Sequence, residues 1–151
     1  MNNLHLTNSL TNKKEIFNPI NKEKVSLYAC GPTVYDNPHV GNARALVVFD
    51  LLFRILIELY GEKKVTYVRN ITDIDDKIIE ASKSKKIDIS DLTKSVTEKF
   101  HKDCKILFCL NPSKEPRATY HVEVLINMTK KLIELNSDYE KDGNVFFKVT
   151  S

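Results

Sequence analysis

The sequence contains few glycines, prolines and cysteines, and it has no tryptophan. Four Gly and five Pro among 151 residues exclude collagen-like and low-complexity chains and favour a helix-rich fold with few tight turns. The three cysteines, Cys30, Cys104 and Cys109, are an odd number without the spacing of a disulfide framework, so reduced thiols are expected.

Targeting and membrane signals are also lacking. Residues 1–10 have no basic stretch followed by an apolar run, so no secretory signal is visible or expected. The longest apolar stretch, 45–59, is interrupted by charged side chains and is not expected to span a membrane. We therefore expect a cytoplasmic protein without a membrane partner, and no feature indicates a protein partner.

The charge balance is mild, with 23 Lys and Arg against 20 Asp and Glu, a formal net charge of +3. This is too little for a nucleic-acid-binding tail, and the chain is not acidic enough for a disordered segment. Its 42% hydrophobic and 28% charged residues are ordinary for a soluble domain, and 151 residues correspond to about one domain.

The first half of the sequence predicts a strand–helix–strand unit. Val25–Ala29 and Val65–Arg69 have the composition and alternation of short strands. Between them, apolar residues at helical spacing predict a helix from Gly41 that ends at Gly61. A crossover of this kind predicts parallel strands. Residues 1–22 are polar, with a turn expected at Asn18-Pro19.

The second half predicts three helices and a hairpin. Thr72 and Asp73 are candidate N-caps for a helix over 74–81. A second helix is expected to open at Ser90 and to stop at 111–112, and a third follows residues 115–119. The turn at 142–143 predicts a hairpin whose return strand covers 145–149. The apolar sides of the second and third helices are assigned to these residues: Leu92, Val96, Phe100, Leu107, Phe108, Val122, Leu125, Ile126, Thr129, Leu132 and Ile133.

Polar residues cluster where the two strands end. Ligands of an open parallel sheet bind beyond the carboxyl ends of its strands, which here are 30–31 and 70–73. The helix predicted between the strands starts at the same edge, where free backbone N–H groups favour an anion. His39 and Asn42 add donors, and Gly41 permits close approach of a ligand. The residues leave open whether this edge binds phosphate or whether His39 merely caps the loop and Gly41 serves a turn.

Several segments resemble cysteine–tRNA ligases, in order and over nearly the whole chain. They are Cys-Gly-Pro-Thr-Val-Tyr-Asp at 30–36, His-Val-Gly-Asn-Ala-Arg at 39–44, residues 67–79, Glu-Pro-Arg-Ala-Thr at 115–119 and residues 142–146. Residues 39–42 look like that family's form of the class I His-Ile-Gly-His signature, with Asn42 in place of the last histidine. Asn42 still donates hydrogen bonds but cannot be cationic.

The resemblance implies an α/β fold. Residues 1–100 would form the first βαβ half of a Rossmann-like class I synthetase nucleotide-binding domain. Residues 101–151 would begin an inserted connective region of helices and a hairpin. The implied reaction activates L-cysteine with ATP and Mg²⁺ to an adenylate and transfers it to tRNA(Cys).

The resemblance also implies roles for individual residues. His39 and Asn42 would stabilise charge on the phosphates, and Gly41 would make room for the adenosine. The implied ATP-binding region covers residues 32–42 and includes Thr33. Gly31, immediately before it, is also assigned to ATP binding.

Cys30 and Thr72 are implied to act on the amino acid. In the family, the cysteine at this position is one of four zinc ligands, and the metal takes the substrate's thiolate. Zinc prefers sulfur, so such a site distinguishes cysteine from serine. Thr72 is the candidate for holding the substrate's ammonium or orienting its carboxylate, with helix capping as an equal alternative. Without the resemblance, Cys30 would be interpreted as a buried thiol at a strand end.

Two other groups are interpreted as structural. His101, Cys104 and Cys109 have a spacing that suggests a metal cluster, but Cys104 continues the apolar side of its helix, which favours core packing. The block 115–119 is either a structural motif or a wall facing the acceptor end of tRNA, and we favour structure.

The sequence lacks parts that a complete enzyme of this family needs. Only one zinc ligand is matched, although zinc sites use at least three protein ligands, and the Lys-Met-Ser-Lys-Ser signature is missing. We therefore expect an N-terminal portion that is inactive by itself. Two alternatives stay open: an ATP-dependent cysteine ligase of mycothiol synthesis, and a non-catalytic synthetase-like binding module.

Overall fold

The first elements of the fold form a hairpin that the sequence did not predict. In the computed structural model, which describes residues 3–149, β1 (His5–Asn8) pairs antiparallel with β2 (Lys13–Ile16). Both strands are largely polar and lack the alternation of apolar residues from which a strand is predicted. Phe17, immediately after β2, donates its N–H to the carbonyl of Leu4 (2.8 Å). The expected turn at 18–19 is displaced to 21–24, where the N–H of Lys24 bonds the carbonyl of Asn21 (3.2 Å).

The strand–helix–strand unit is confirmed. β3 (Val25–Ala29) and β4 (Val65–Arg69) pair in parallel, with Val25 opposite Val65. The connecting helix, α1 (Val40–Tyr60), ends as predicted at Gly61. Gly61 has a positive φ of 91°, a conformation that favours glycine because it has no side chain. A short 3₁₀ turn, Glu62–Lys64, leads into β4.

Both N-caps predicted for the next helix, Thr72 and Asp73, are wrong. α2 (Asp76–Lys85) is capped by Asp75, whose Oδ1 accepts the N–H of Lys77 (2.9 Å). Asp73 does not cap it, because both of its carboxylate oxygens accept hydrogen bonds from Thr119, far along the chain. The helix therefore starts two residues after the predicted position.

The following helix is shorter at its C-terminus than its apolar pattern predicts. α3 (Ile89–Ile106) is capped by Asp88, not Ser90, and ends before Phe108. Phe108 adopts a left-handed conformation (φ 56°), and the N–H of Cys109 bonds the carbonyl of Cys104 (3.0 Å), which closes the helix end. Phe108 is consequently 84% exposed and does not continue the buried side.

The last described elements are a helix and the predicted hairpin. A 3₁₀ turn, Ala118–His121, leads into α4 (Val122–Glu134), and β5 (Asp138–Lys141) pairs antiparallel with β6 (Asn144–Phe147). Asp142 and Gly143 both have positive φ, as a tight hairpin turn requires. The predicted apolar side of α4 is mostly exposed in the described part of the chain, notably at Val122, Leu125, Ile126 and Ile133.

Two apolar clusters hold the fold together. One lies between α1 and the β3–β4 pair, and the other joins α2 and α3 to the loop after β3. The members of the first are Val25, Ala29, Phe53, Leu56, Val65 and Tyr67. The members of the second are Val34, Leu46, Ile71, Ile78, Leu92, Val96, Phe100 and Cys104. The core role predicted for Cys104 is confirmed.

The mixed α/β class is thus confirmed. The division into 1–100 and 101–151 stays a prediction, and its outermost residues, 1–2 and 150–151, lie outside the described part. Within 3–149, no helix is both long and apolar enough to cross a membrane.

Candidate active site

The carboxyl ends of β3 and β4 meet at one edge, as the parallel pairing requires. Ala29 lies opposite Arg69, so Cys30 and Asn70 leave the sheet side by side. The N–H of Gly31 donates to Oδ1 of Asn70 (2.9 Å), and Nδ2 of Asn70 donates to Oγ1 of Thr72 (3.1 Å). A Cβ at position 31 would lie 1.5 Å from the carbonyl oxygen of Asn70, so only glycine fits there.

The loop after Gly31 is fastened to the residues that follow β4. The N–H of Thr72 bonds the carbonyl of Pro32 (3.0 Å), and the N–H of Val34 bonds the carbonyl of Thr72 (3.1 Å). Thr33 therefore lies beside Thr72 in a parallel bridge. The structure thus brings the predicted residues Cys30, Gly31, Thr33 and Thr72 together.

His39 and Asn42 form a reciprocal cap at the N-terminus of α1. Nδ1 of His39 accepts the N–H of Gly41 (3.0 Å), and Oδ1 of Asn42 accepts the N–H of His39 (3.0 Å). Because Nδ1 accepts, the hydrogen of the neutral ring is on Nε2. His39 Nε2–H and the Asn42 amide group therefore remain donors at this helix end.

Two adjoining cavities lie at this edge. The larger, about 270 Å³, is lined by residues 31–39, Asn42, Val96 and Phe100. The smaller, about 60 Å³, is lined in part by Cys30, Asn42 and Arg69. Five of the predicted site residues line one or both cavities: Cys30, Gly31, Thr33, His39 and Asn42. Gly41 and Thr72 line neither cavity.

Cys30 is exposed, which contradicts the interpretation of this residue as a buried strand-end thiol. It follows the last residue of β3 and thus leaves the apolar cluster. Within residues 3–149, no three His, Cys, Asp or Glu side chains are grouped so that they could hold a metal ion. The described residues therefore do not form a zinc site, and no chemical step through zinc follows from them.

Three lysines hold the loop that precedes His39. Lys85 Nζ lies 3.4 Å from Oδ1 of Asp36, and Lys99 Nζ donates to Oδ1 of Asn37 (3.0 Å). Lys77 Nζ lies 5.6 Å from the centre of the Tyr35 ring. The pKa of Asp36 is lowered mainly by the hydrogen bond from the backbone N–H of Asn37 and secondly by the contact with Lys85. No sequence signal indicated these contacts, since they join residues 42 to 62 positions apart.

Sequence reasoning also missed a buried cation beside the smaller cavity. Arg69 is 3% exposed, and its Nη2 lies 2.7 Å from Oε1 of Glu115. Oε2 of Glu115 lies 2.6 Å from Nε2 of His101. The guanidinium lies 4.9 Å from the centre of the Phe100 ring. Burial by itself would lower the pKa of Arg69, but the hydrogen bonds to Glu115 and the charge interactions with neighbouring acidic groups together raise it above its usual value.

The block 115–119 has the structural role that we favoured. Arg69 N–H bonds the carbonyl of Lys114 (3.1 Å), and Ile71 N–H bonds that of Pro116 (2.9 Å), so the segment runs alongside the end of β4. Asp73 accepts both the N–H (2.9 Å) and the hydroxyl (2.7 Å) of Thr119. The supposed cluster of His101, Cys104 and Cys109 is not a metal site, because Cys104 is buried in the core and His101 pairs with Glu115.

The comparisons with known proteins agree with this architecture. A family model described as "tRNA synthetases class I (C) catalytic domain" matches residues 16–151, so the chain belongs to the class I aminoacyl-tRNA synthetase catalytic-domain family. Within that class, the chain is similar to proteins named cysteine–tRNA ligase. It is 52% identical over 147 residues to that of Pelagibacter ubique and 53% identical over 148 residues to that of Orientia tsutsugamushi.

These matches confirm the resemblance seen in the sequence. The protein named cysteine–tRNA ligase from Rickettsia prowazekii is 51% identical to this chain over 148 residues, which are 98% of the chain. The other two matches each cover 97% of the chain. The chain spans only 31–32% of the length of these three relatives.

Proposed function

We propose that this chain takes part in ATP-dependent activation of L-cysteine to cysteinyl-adenylate and in its transfer to tRNA(Cys). The observation that carries the proposal is the shared edge of β3, β4 and α1, where Cys30 lines the same cavity as Asn42, one of the two residues that cap α1. The similarity to ligases named for cysteine and tRNA supports the same reaction.

The donors at the start of α1 fit the charge that such a reaction develops. Attack of the cysteine carboxylate on the α-phosphorus places negative charge on the phosphoryl oxygens. His39 Nε2–H and the Asn42 amide group would stabilise it, together with the positive end of the α1 helix dipole. Gly41 would let the adenosine approach the backbone. Mg²⁺ would accompany ATP on the phosphates, and Thr33 and Gly31 would line the nucleotide side of the cavity.

We further propose that the 151-residue chain by itself does not catalyse this reaction. Cys30 supplies one candidate thiol where the implied zinc site needs at least three protein ligands. We assign 1–100 to the first half of a Rossmann-like catalytic domain and 101–151 to the connective insertion.

Cysteine-dependent exchange of pyrophosphate into ATP tests the proposal. We expect exchange by the protein expressed from its full reading frame, with L-serine as the inactive control. We expect none by the 151-residue chain, and strong exchange by that chain would contradict its assignment as inactive alone. Replacing both His39 and Asn42 by Ala is expected to abolish exchange, because both donors are lost.

The acceptor distinguishes the alternatives. Charging of tRNA supports the cysteine–tRNA ligase, whereas transfer to an amino sugar supports the ligase of mycothiol synthesis. ATP binding without adenylate formation by the full reading frame would indicate a non-catalytic module.

A further inference from the structure

The C-terminal end of α3 places two cysteines next to each other. The N–H of Cys109 bonds the carbonyl of Cys104 (3.0 Å), and the N–H of Phe108 bonds that of Lys105 (3.0 Å). Together with the left-handed φ of 56° at Phe108, these two bonds define a Schellman motif. Cys104 and Cys109 occupy the two positions of this motif whose side chains commonly contact each other.

The two thiols lie within reach of a covalent bond. The 3.0 Å hydrogen bond between them limits the separation of their Cα atoms to less than about 7 Å. Protein disulfides join Cα atoms that are about 4.4–6.8 Å apart. Cys109 also packs against the apolar cluster that contains Cys104. Both cysteines are free thiols in this structure.

The turn that carries Cys109 is fastened to α1 on both sides of this residue. Arg54 Nη2 donates to the carbonyl of Phe108 (2.7 Å), and the N–H of Leu110 donates to Oδ1 of Asp50 (2.7 Å). Arg54 and Asp50 also pair with each other, at 2.6 Å. The backbone is therefore held in place, and a bond between the two sulfurs requires rotation of side chains rather than refolding of the turn.

We propose that Cys104 and Cys109 form a dithiol site that low-molecular-weight disulfides oxidise reversibly to an intramolecular disulfide. The proposal goes beyond the proposed function and does not depend on it. Cys109 is partly buried, whereas Cys104 is only 5% exposed. The oxidant therefore meets Cys109 first, and Cys104 is the thiol that completes the reaction.

The oxidation consists of two thiol–disulfide exchanges. The Cys109 thiolate attacks one sulfur of the reagent, so that the reagent's S–S bond breaks, a mixed disulfide forms and one thiolate leaves. The Cys104 thiolate then attacks the Cys109 sulfur and displaces the second thiolate. The protons of the two protein thiols end on the two released thiols, and the reagent takes up the two electrons that the protein loses.

The rate of this oxidation should depend on pH. Burial is the main cause that raises the pKa of both thiols, and the charge of each group's neighbours modifies it. Thiolate, the attacking species, is therefore scarce at neutral pH. We expect slow oxidation near about pH 7 and faster oxidation near about pH 9.

The Cys30→Ala variant of the 151-residue chain isolates the pair, because the exposed Cys30 would react by itself. With excess glutathione disulfide, we expect both remaining thiols to disappear and the mass to fall by two hydrogens, and dithiothreitol should restore both thiols. A lasting glutathione adduct on Cys109 beside a free Cys104 would overturn the proposal. A disulfide between two chains in place of the internal one would overturn it as well.

Two further variants test the order of attack. When Cys104→Ala is added to Cys30→Ala, the reaction should stop at a mixed disulfide on Cys109. When Cys109→Ala is added instead, Cys104 should react at least about tenfold more slowly, because local opening must expose it first. Equal rates for the two single thiols would contradict Cys109 as the point of entry.

A comparison of the folded and the urea-unfolded Cys30→Ala chain separates the effect of the fold from that of sequence spacing. The equilibrium with glutathione gives the effective concentration of one thiol towards the other in each state. We expect a value at least about tenfold higher in the folded chain, because the Schellman turn already holds the Cα atoms at bonding distance. An equal or lower value in the folded chain would overturn the proposal without the use of any further variant.

Discussion

His39 stabilises a helix with one ring nitrogen and offers a donor with the other. Nδ1 accepts the Gly41 N–H, and this fixes the hydrogen on Nε2 at the edge of the larger cavity. The structural and the functional interpretation of this residue are therefore compatible, because they use different atoms.

Substitution of His39 is expected to separate the two roles. His39→Ala should lower the free energy of unfolding by about 1 kcal/mol, because the cap is lost. His39→Asn should preserve stability, since asparagine is a good N-cap, yet still lose the Nε2 donor. Urea unfolding of the 151-residue chain measures the first effect, and pyrophosphate exchange by the full reading frame measures the second. Equal stability of the Ala and Asn variants would contradict the capping role.

Cys104 is expected to make stability depend on alkaline pH. Burial raises the pKa of its thiol above the ordinary value of 9.0. The folded chain thus keeps a proton that the unfolded chain loses as the pH rises, so this contribution is full below the ordinary pKa and is lost above it. The same holds for Cys109, whose pKa is also raised, chiefly by burial.

Unfolding free energies under reducing conditions at about pH 8 and about pH 10 test this expectation. Stability should fall between the two, and the fall should be smaller in Cys104→Ala than in the unsubstituted chain. Cys30→Ala is the matched control, because Cys30 is exposed. An identical fall in Cys104→Ala would show that its thiol does not contribute.

Among the elements, the segment 114–118 is held against β4 by ionic contacts as well as by backbone hydrogen bonds. Glu115 neutralises the buried Arg69 and also meets His101. Glu115→Ala would leave the Arg69 cation buried without its partner, a loss on the order of 3 kcal/mol. Glu115→Gln, which keeps an oxygen for the hydrogen bond, should cost less. Thermal unfolding measures both, with the exposed Glu123→Ala as control, and a loss no larger than in that control would contradict the role of the pair.

Elements whose sequence pattern is local could be predicted, whereas contacts between distant residues could not. The bounds of β3 and β4 follow from alternation and composition, and the end of α1 follows from Gly61. The cap of α2 was misplaced because Asp73 is taken by Thr119, 46 residues away. The candidate site shows the same limit. Cys30 and His39 belong to recognisable motifs, but the hydrogen bond between Asn70 and Gly31 forms only when β3 and β4 pair.

At the scale of the whole molecule, apolar burial is uneven. The β3–α1–β4 unit and the α2–α3 pair contain both apolar clusters. In 118–149, by contrast, Asp138 is the only described residue that is buried, and its Oδ1 has no hydrogen-bond partner in the described part of the chain. Large apolar side chains such as Met128 and Phe147 are exposed there, at 54% and 60%.

This contrast predicts two levels of local stability. Regions with little apolar burial open at a lower free energy than the core, because less surface is exposed when they do. We expect the amides of α4 and of the β5–β6 hairpin to exchange at least about tenfold faster than those of β3 and β4. Native-state hydrogen exchange of the 151-residue chain measures both in one sample, so the strands serve as the internal control. Equal protection of α4 and β4 would mean that the two regions open as a single cooperative unit, which the distribution of buried residues argues against.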